Sequence, residues 1–336
     1  MTQHKASFLL EKHGKLEVKT RPTPTPKEPS SRKEDFPAVL GLDGAGVVEA
    51  VGPEVTDFKV GDRVFFEGIY RSSDETTFQE KTIVETDLIS KIPGNITDDQ
   101  ASTIPVGTIT AFFGLFQNTG IDVPENGPTA NGKGVLILGG VRLLVNLVGD
   151  LAEHLLYVTY GPGLDQAIQL ARIAGFSPIV TTASAQHNDF LKSLGATHVF
   201  GRDVDANTIQ SAFSTPVALV LDAISTNSTQ SLAFDILTTP SLAPVAHLAI
   251  VLPLADSVKE KNRGDKVTVH TVYGVPHHFR DLSVPFWQIV GQWIKDEKLV
   301  PNRVQVVKGG LAAVPEALDL SRKGVSGVKV VIHPQD

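Results

Sequence analysis

The distribution of apolar residues predicts a first part made of short strands. In roughly the first hundred residues, short apolar segments are separated by Gly, Pro, Asp and Ser, which is typical of strands joined by tight turns. The pattern predicts strands at residues 7–11, 15–21, 44–51, 62–66 and 78–84. Many short strands with glycine turns indicate a small barrel or sandwich.

The middle of the chain has a different pattern, in which buried strands alternate with helices. Residues 134–138 (GVLIL) form an uninterrupted apolar segment that ends at Gly139-Gly140. Further strands are predicted at 178–182, 198–200, 219–222 and 247–252, with helices at 166–174, 190–194 and 231–237. This alternation predicts an α/β fold with a doubly wound parallel sheet.

The last part of the chain, residues 281–336, mixes both kinds of element. Its pattern predicts a helix at 286–296, a strand at 303–307, a helix at 314–322 and a strand at 329–333. We expect this last part of the chain to fold together with the first hundred residues as one domain. The predicted organisation is a discontinuous β domain of residues 1–105 and 270–336, with a nucleotide-binding domain of residues 106–269 inserted.

Composition and charge narrow the function classes. The chain has 336 residues, of which 41% are hydrophobic and 20% charged, as expected for two folded domains. A net charge of −7 argues against nucleic-acid binding, including RNA. The absence of cysteine excludes disulfides, thiol catalysis and cysteine-ligated metal sites. No signal core and no membrane-length apolar stretch is visible, so we expect a cytoplasmic location.

Four passages carry a resemblance to a known family. They are PAVLGLDGAGVVEAVG at 37–52 with VGDRV at 60–64, ASTIPVGTITA at 101–111, LKSLGATHV at 191–199, and GVSGVKVV at 324–331. In this order the sequence resembles the medium-chain dehydrogenase/reductase family, in its zinc-free quinone oxidoreductase-like and fungal enoyl reductase-like branch.

The resemblance implies both a fold and an activity. The fold is a GroES-like β-barrel-type domain with a Rossmann sheet, and the activity is NADPH-dependent hydride transfer to an α,β-unsaturated carbonyl or a quinone. A small-molecule substrate and a homodimer are also expected. Zinc-dependent relatives have a His-Glu pair where this chain has Leu42-Asp43, and they use cysteine ligands, so no metal site is predicted.

The sequence departs from the family pattern in two places. Only residues 27–35 (KEPSSRKED) lie between the Pro-rich stretch and FPAVLG, so this chain is about twenty residues shorter here than a complete β domain of the family. Residues 141–165 interrupt the phosphate loop, and no GxGxxG follows the first sheet strand. Apolar positions from Leu143 to Leu155 fit an amphipathic helix.

Two interpretations of these departures stay open. The insert is either a genuine lid or oligomerisation helix, or both anomalies come from mis-spliced or mis-predicted gene segments, which we favour. The alternative function is therefore a catalytically silent or defective family member that acts as a binding or scaffold protein.

The candidate cofactor-binding residues follow two strands of the predicted sheet. Gly139 and Gly140 begin the phosphate turn. At the end of the next strand stand Thr181, Thr182 and Ser184, with no acid for a ribose hydroxyl, which favours NADPH over NADH. Lys192 adds charge if it reaches the site. Alternatively, these hydroxyls only cap the next turn.

Four further residues are candidates on weaker grounds. Thr108 either touches the nicotinamide or its ribose, or caps a helix over 109–116, and the two roles are compatible. Asp222 lines the adenine side or caps its own loop. Lys329 resembles a family position near the cofactor ribose and phosphates, with a solvated lysine as the alternative. Tyr70 is a candidate proton donor, whereas hydride transfer needs no protein nucleophile.

Overall fold

A computed structural model describes residues 2–11, 14–25, 36–139, 143–146, 158–161, 164–239, 245–325 and 327–336; for 143–146, 158–161 and 164 it describes the backbone only. The strands in chain order are β1 (Gln3–Leu9), β2 (Leu16–Pro22), β3 (Ala38–Val39), β4 (Asp43–Val47), β5 (Arg63–Glu67), β6 (Ile89–Lys91), β7 (Val135–Leu138), β8 (Leu143–Asn146), β9 (Val158–Gly161), β10 (Ile179–Thr182), β11 (His198–Phe200), β12 (Leu219–Asp222), β13 (His247–Ile250), β14 (Thr268–Thr271), β15 (Val304–Val307) and β16 (Lys329–Ile332).

The helices are α1 (Asp98–Ala101), α2 (Pro105–Phe116), α3 (Leu164–Ala174), α4 (Asn188–Leu194), α5 (Ala206–Gln210), α6 (Asn227–Thr238), α7 (Asp256–Lys261), α8 (Arg280–Lys295) and α9 (Val314–Lys323). The chain divides into two compact units. The described residues of the first come from Met1–Val106 and Val275–Asp336, together with Val158; those of the second come from Gly107–Asn146 and Thr159–Gly274.

The second unit contains a six-stranded parallel sheet in the order β11-β10-β7-β12-β13-β14. Counted along the chain, this is the order 3-2-1-4-5-6 of a doubly wound nucleotide-binding fold. The chain leaves β7 toward β10 on one side and later returns to β12 on the other. The predicted α/β fold with a doubly wound sheet is confirmed.

The core of the second unit explains why its strands read as continuous apolar runs. Every residue of β7, β10, β12 and β13 is buried, as is typical of the central strands of a parallel sheet. Leu136, Val220 and Leu248 pack with Ile236 and Leu237 of α6 in one cluster. Each such side chain contributes about 1.5–3 kcal/mol by leaving water.

The first unit is built from smaller sheets. β1 pairs antiparallel with β2 and β3, β5 pairs antiparallel with β4 and β6, and β15 pairs parallel with β16. Phe65 of β5 meets Trp287 of α8 edge to face, with 5.7 Å between the ring centroids. This aromatic contact joins the early strands to the last part of the chain.

Local sequence signals set several helix ends. Thr97 and Gln100 form a capping box at the start of α1, and Thr226 and Thr229 form another at the start of α6. Gly195, with φ +126°, ends α4 in a conformation that other residues rarely adopt.

Two sequence predictions of secondary structure are wrong. The strand predicted at residues 78–84 is not formed. In this segment only Gln79 pairs with another part of the chain, through an isolated antiparallel bridge to Ala6. The Gln79 side chain donates to the carbonyl oxygens of Ser73 (2.7 Å) and Thr76 (2.8 Å), which turns the chain back onto itself. The prediction of an amphipathic helix is also wrong at Leu143–Asn146, because these residues form the strand β8, which pairs with β9.

Two strands of the structure lie outside the segments that the sequence pattern predicts, and part of the predicted insert lies outside the described residues. The strands β6 and β14 were not predicted, because their segments ISK and TVHT lack a long apolar run. Residues 141–142, 147–157 and 162–163 of the insert, and the short segment 27–35, lie outside the described residues.

None of the described helices is both long and apolar enough to span a bilayer.

Candidate functional site

The carboxyl edge of the six-stranded sheet gathers three of the candidate residues. Leu138, the last residue of β7, pairs with Thr182 on one side and Asp222 on the other. The next residue, Gly139, has φ +101°, and its N–H donates to Thr182 Oγ1 at 3.3 Å. Gly139, Thr182 and Asp222 therefore meet where a doubly wound sheet binds its ligand. Gly140 lies outside the described residues.

The hydroxyl groups that follow β10 differ in what they already bind. Thr181 is fully buried, and its hydroxyl donates to the carbonyl oxygen of Ile137 at 2.7 Å. Ser184 precedes a short 3-10 turn, but its side chain makes no capping hydrogen bond. Thr181 is thus committed to the sheet, whereas the Ser184 side chain does not cap the turn that follows it.

Lys192 is exposed in the last turn of α4. Its position on the surface leaves the long side chain free to reach several directions, so its contact with a cofactor stays a prediction.

Asp222 combines a structural role with an unused oxygen. Its Oδ1 accepts from the N–H groups of Ile224 (3.1 Å) and Ser225 (2.8 Å), so the carboxylate caps its own loop. Within the described residues, Oδ2 is buried with no hydrogen-bond partner. Burial raises the pKa of Asp222 to about 6, although the Ser225 N–H, the Thr229 hydroxyl and the Ile224 N–H oppose this shift.

Ser225 holds the loop after β12 in place. Its φ of +53° is unusual for a residue with a side chain. The hydroxyl donates to the carbonyl oxygen of Asp222 at 2.6 Å and accepts from the Val251 N–H at 2.9 Å. The ends of β12 and β13 are tied together by this one side chain, which fixes Asp222 at the sheet edge.

Thr108 lies inside α2 and not at its cap. The helix begins at Pro105, a residue suited to the first turn, so the N-cap interpretation of Thr108 is wrong. The Thr108 side chain is fully buried, and among the described residues its Oγ1 has no hydrogen-bond partner. A buried hydroxyl without a partner is a group that a ligand could satisfy.

Lys329 is not the solvated lysine of the alternative interpretation. Its Nζ lies 2.6 Å from Asp43 Oδ2, with both side chains largely buried. The other oxygen of Asp43 accepts from the Val106 N–H at 2.9 Å. The ammonium of Lys329 therefore neutralises Asp43, and a contact with a cofactor stays a prediction.

Tyr70 lies in the same unit as this ion pair. Its ring packs against Leu9, Ala38 and Leu40. Burial raises the pKa of Tyr70, a hydrogen bond from the Gly41 backbone opposes the shift, and the charges of Asp43 and Glu67 raise it further. The phenol is therefore protonated at neutral pH, as a proton donor must be.

The segment that follows Tyr70 is held by an ion-pair network. Arg71 bonds Glu75 and, at 2.7 Å, Glu85. Arg280 in turn bonds Glu85 at 2.6 Å, and it also bonds Asp87. The two arginines lower the pKa of Glu85 against the effect of its burial. Several shared charges fix this segment better than one isolated pair would.

Glu67 is a buried acid that is not among the residues predicted from the sequence. This acid ends β5 directly after three apolar residues and lies opposite Asp43 in the strand register. An acid inside such an apolar run is the one signal that marks it in the sequence. Only 5% of its surface is exposed.

Histidine pairs do not form a metal centre in the described part of the chain. His247 Nδ1 and His270 Nε2 are 2.7 Å apart, and the rings of His277 and His278 are tilted against each other. No group of three or more His, Asp or Glu side chains with ligand-like placement occurs among the described residues.

Comparison with known proteins gives a domain match in the first part of the chain. Residues 19–113 match the alcohol dehydrogenase GroES-like domain.

Two curated relatives and one solved structure resemble most of the chain. The dehydrogenase azaJ of Aspergillus niger is 29% identical, over 88% of this chain and 82% of that protein. The enoyl reductase component lovC of the lovastatin nonaketide synthase of Aspergillus terreus is 27% identical over the same shares. An alcohol dehydrogenase superfamily protein from Novosphingobium aromaticivorans has the same fold, with a TM-score of 0.74, 21% identity, and 98% and 100% coverage of the two chains.

Proposed function

We propose that this chain, which resembles the medium-chain dehydrogenase/reductase family in its GroES-like domain and is similar to fungal enoyl reductases, is an oxidoreductase that reduces an α,β-unsaturated carbonyl or a quinone with NADPH and without zinc. The observation that carries the proposal is the sheet order 3-2-1-4-5-6, with Gly139, Thr182 and Asp222 at its switch point, in a chain similar to an enoyl reductase component.

The described residues fit a nicotinamide cofactor. Gly139 provides the positive φ that lets a backbone turn approach a pyrophosphate. Two buried atoms that lack a partner among the described residues, Thr108 Oγ1 and Asp222 Oδ2, belong to the same unit. The Thr108 hydroxyl can donate a hydrogen bond to a ribose or carboxamide group or accept one from it, and the Asp222 oxygen can accept one. When bound, the cofactor supplies the hydride.

The choice of NADPH rests on the end of β10. No carboxylate stands among residues 181–184, so the acid that would hold a ribose 2′-hydroxyl is missing there. The Ser184 hydroxyl, free of a capping bond, is the group we assign to a 2′-phosphate, with Lys192 as the nearest cation in the sequence.

The zinc-free mechanism rests on Asp43. Both of its carboxylate oxygens are used, one by Lys329 and the other by the Val106 N–H. A neighbouring ammonium disfavours a second cation at the same carboxylate. Tyr70 is then our candidate for the group that protonates the carbon atom next to the carbonyl after hydride addition.

The test uses the full chain with both nicotinamide cofactors. We expect NADPH to quench the intrinsic fluorescence with higher affinity than NADH. We also expect NADPH oxidation with a panel of enals, enones and quinones, and mass spectrometry should place deuterium from C4-deuterated NADPH at the β-carbon of the product.

Two results would reject parts of the proposal. No quenching at millimolar NADPH overturns the cofactor assignment and favours the catalytically silent family member. Activity that is lost after exhaustive chelation and restored by zinc overturns the zinc-free assignment.

A further inference from the structure

The strand β4 lies at the edge of a sheet in the first unit. This sheet has the order β4-β5-β6, so among the described residues β4 pairs on one side only, with β5. The end of the strand is accessible: Val47 is 60% exposed, and a Cβ atom at Gly46 would have nothing within 4 Å. An edge strand of this kind presents backbone groups to which another strand can bind.

The hydrogen bonds to β5 show which backbone groups of β4 point toward the open edge. The Gly68 N–H donates to the Leu42 carbonyl oxygen at 2.6 Å, and the Val48 N–H donates to that of Asp62 at 2.9 Å. Bonds to an antiparallel neighbour come from alternate residues, so the even-numbered residues of this segment face β5. The odd-numbered ones face the open edge, and no hydrogen bond of the described chain uses their backbone groups; they are Asp43, Ala45 and Val47.

No residue of β4 blocks the addition of another strand. Edge strands are commonly protected by charged side chains, especially lysine, and by proline. The edge strand β2 of the neighbouring sheet has this protection, because it contains Lys19 and Arg21 and ends at Pro22. The sequence of β4, DGAGV, has no lysine, arginine or proline, and its one charge is neutralised because Asp43 pairs with Lys329 at 2.6 Å.

We propose that the open edge of β4 is a self-association surface, to which β4 of a second copy of this chain binds in antiparallel orientation. Two identical strands that pair in this way are related by a two-fold axis. With the axis at Ala45, this residue lies opposite Ala45 of the second copy, and Asp43 lies opposite Val47. One sheet then continues from the first chain into the second.

The pattern of β4 favours a second copy as the occupant. The three outward-facing residues are symmetric about Ala45, so each of them meets an outward-facing residue and both can exchange N–H···O bonds. No like charges stand opposite each other, because Asp43 meets an apolar residue. The chain's own segment 27–35 is a poor alternative, since six of its nine residues are charged and one is proline, which disfavours a strand. This pairing is independent of the proposed reaction.

A disulfide cross-link tests the position of the two-fold axis. The chain has no cysteine, so a single introduced thiol reports one distance between the two copies. In a directly opposed pair the Cα atoms are about 5.5 Å apart, which a disulfide can span. Ala45→Cys should therefore form a covalent dimer under mild oxidation.

Val47→Cys is the matched control on the same strand. The two-fold pairing separates the two copies of this residue by four positions along the strands, or about 14 Å, which is too far for a disulfide. Although Val47 is well exposed, we expect Val47→Cys to cross-link roughly tenfold more slowly than Ala45→Cys. Equal rates, or a faster reaction of Val47→Cys, would overturn the two-fold pairing.

Sedimentation velocity of the full chain tests the association itself. The wild type should show a monomer–dimer equilibrium that depends on concentration. Ala45→Pro removes an N–H that points outward and no bond to β5, so the dissociation constant of the dimer should rise roughly tenfold or more. Val47→Lys should act in the same direction without a backbone change, whereas Val245→Lys, at a 57% exposed site of the second unit, should leave the equilibrium unchanged.

Hydrogen exchange provides a measurement that needs no variant. The amides of Ala45 and Val47 should be protected in concentrated samples and should exchange faster on dilution. A wild type that is monomeric at all concentrations overturns the proposal, as does a dimer that neither Ala45→Pro nor Val47→Lys weakens. Protection that does not change on dilution shows that this chain itself covers the edge, which also overturns it. Binding of NADPH is measured separately, so a failure of the proposed function leaves these outcomes unaffected.

Discussion

At the scale of single residues, the structure shows that hydroxyl groups and histidines which look alike in the sequence have different hydrogen-bond partners. Thr181 and Ser184 are both candidates by position, yet Thr181 already donates to Ile137, whereas Ser184 makes no capping bond. Among the histidines, His247 and His270 share one short contact of 2.7 Å between ring nitrogens. Partners of this kind decide which group is free to titrate or to bind.

The histidine pair should make stability depend on pH. Burial lowers the pKa of His247, and burial together with the charge of His247 lowers that of His270. An unfolded histidine binds a proton below about pH 6.5. The folded chain resists that proton, so the free energy of unfolding should fall as the pH drops below this value toward the lowered folded pKa.

We expect His270→Gln to flatten this dependence, because one of the two resisting groups is removed. The measurement is the urea midpoint between pH 7.5 and 5.5 for the wild type, His270→Gln and the exposed control His198→Gln. Equal slopes for the wild type and His270→Gln would contradict the argument.

At the scale of elements, close approaches of the backbone position the buried acid Glu67. Gly68 follows Glu67 at the end of β5, and its N–H donates to the carbonyl oxygen of Leu42 at 2.6 Å. A Cβ atom at Gly68 would lie 2.8 Å from the carbonyl oxygen of Glu75 and 3.3 Å from that of Gly41. Three backbone segments therefore converge directly beside Glu67.

Gly68→Ala should therefore destabilise the first unit. Backbone atoms must move to admit the methyl group, and overpacking of this kind costs about 1–3 kcal/mol. Gly46→Ala in β4 is the matched control, because a Cβ there has nothing within 4 Å. Urea unfolding should show a loss for Gly68→Ala and a change within about 0.5 kcal/mol for Gly46→Ala; equal losses would contradict the assignment.

At the scale of the whole molecule, contacts between sequence-distant segments complete the first unit. Lys329 and Asp43 are 286 residues apart in the chain, and Asn302 bonds the Thr103 backbone across 199 residues. A parallel sheet can be inferred from local apolar runs, but these pairings cannot. The discontinuous unit depends on them for its closure.

Lys329→Met should test that closure. Removal of one partner leaves the buried Asp43 uncompensated, and such losses reach about 3–5 kcal/mol. Adding Asp43→Asn should recover part of the loss. The exposed pair of Lys81 and Glu49 provides the control, since Lys81→Met should cost no more than about 1 kcal/mol in chemical unfolding. A loss for Lys329→Met as small as for the control would reject the role of the pair.

The sequence by itself determined the α/β class and the parallel sheet, and it predicted the family resemblance. These features follow from local periodicity, as in Val135–Leu138 and Leu219–Asp222, and from motifs such as 37–52. The tertiary structure alone decided that residues 78–84 are not a strand, that Thr108 lies within a helix, and that Lys329 neutralises Asp43 beside Glu67. The physical reason is range: periodicity and caps act within a few residues, whereas burial and charge pairing depend on segments that only folding brings together.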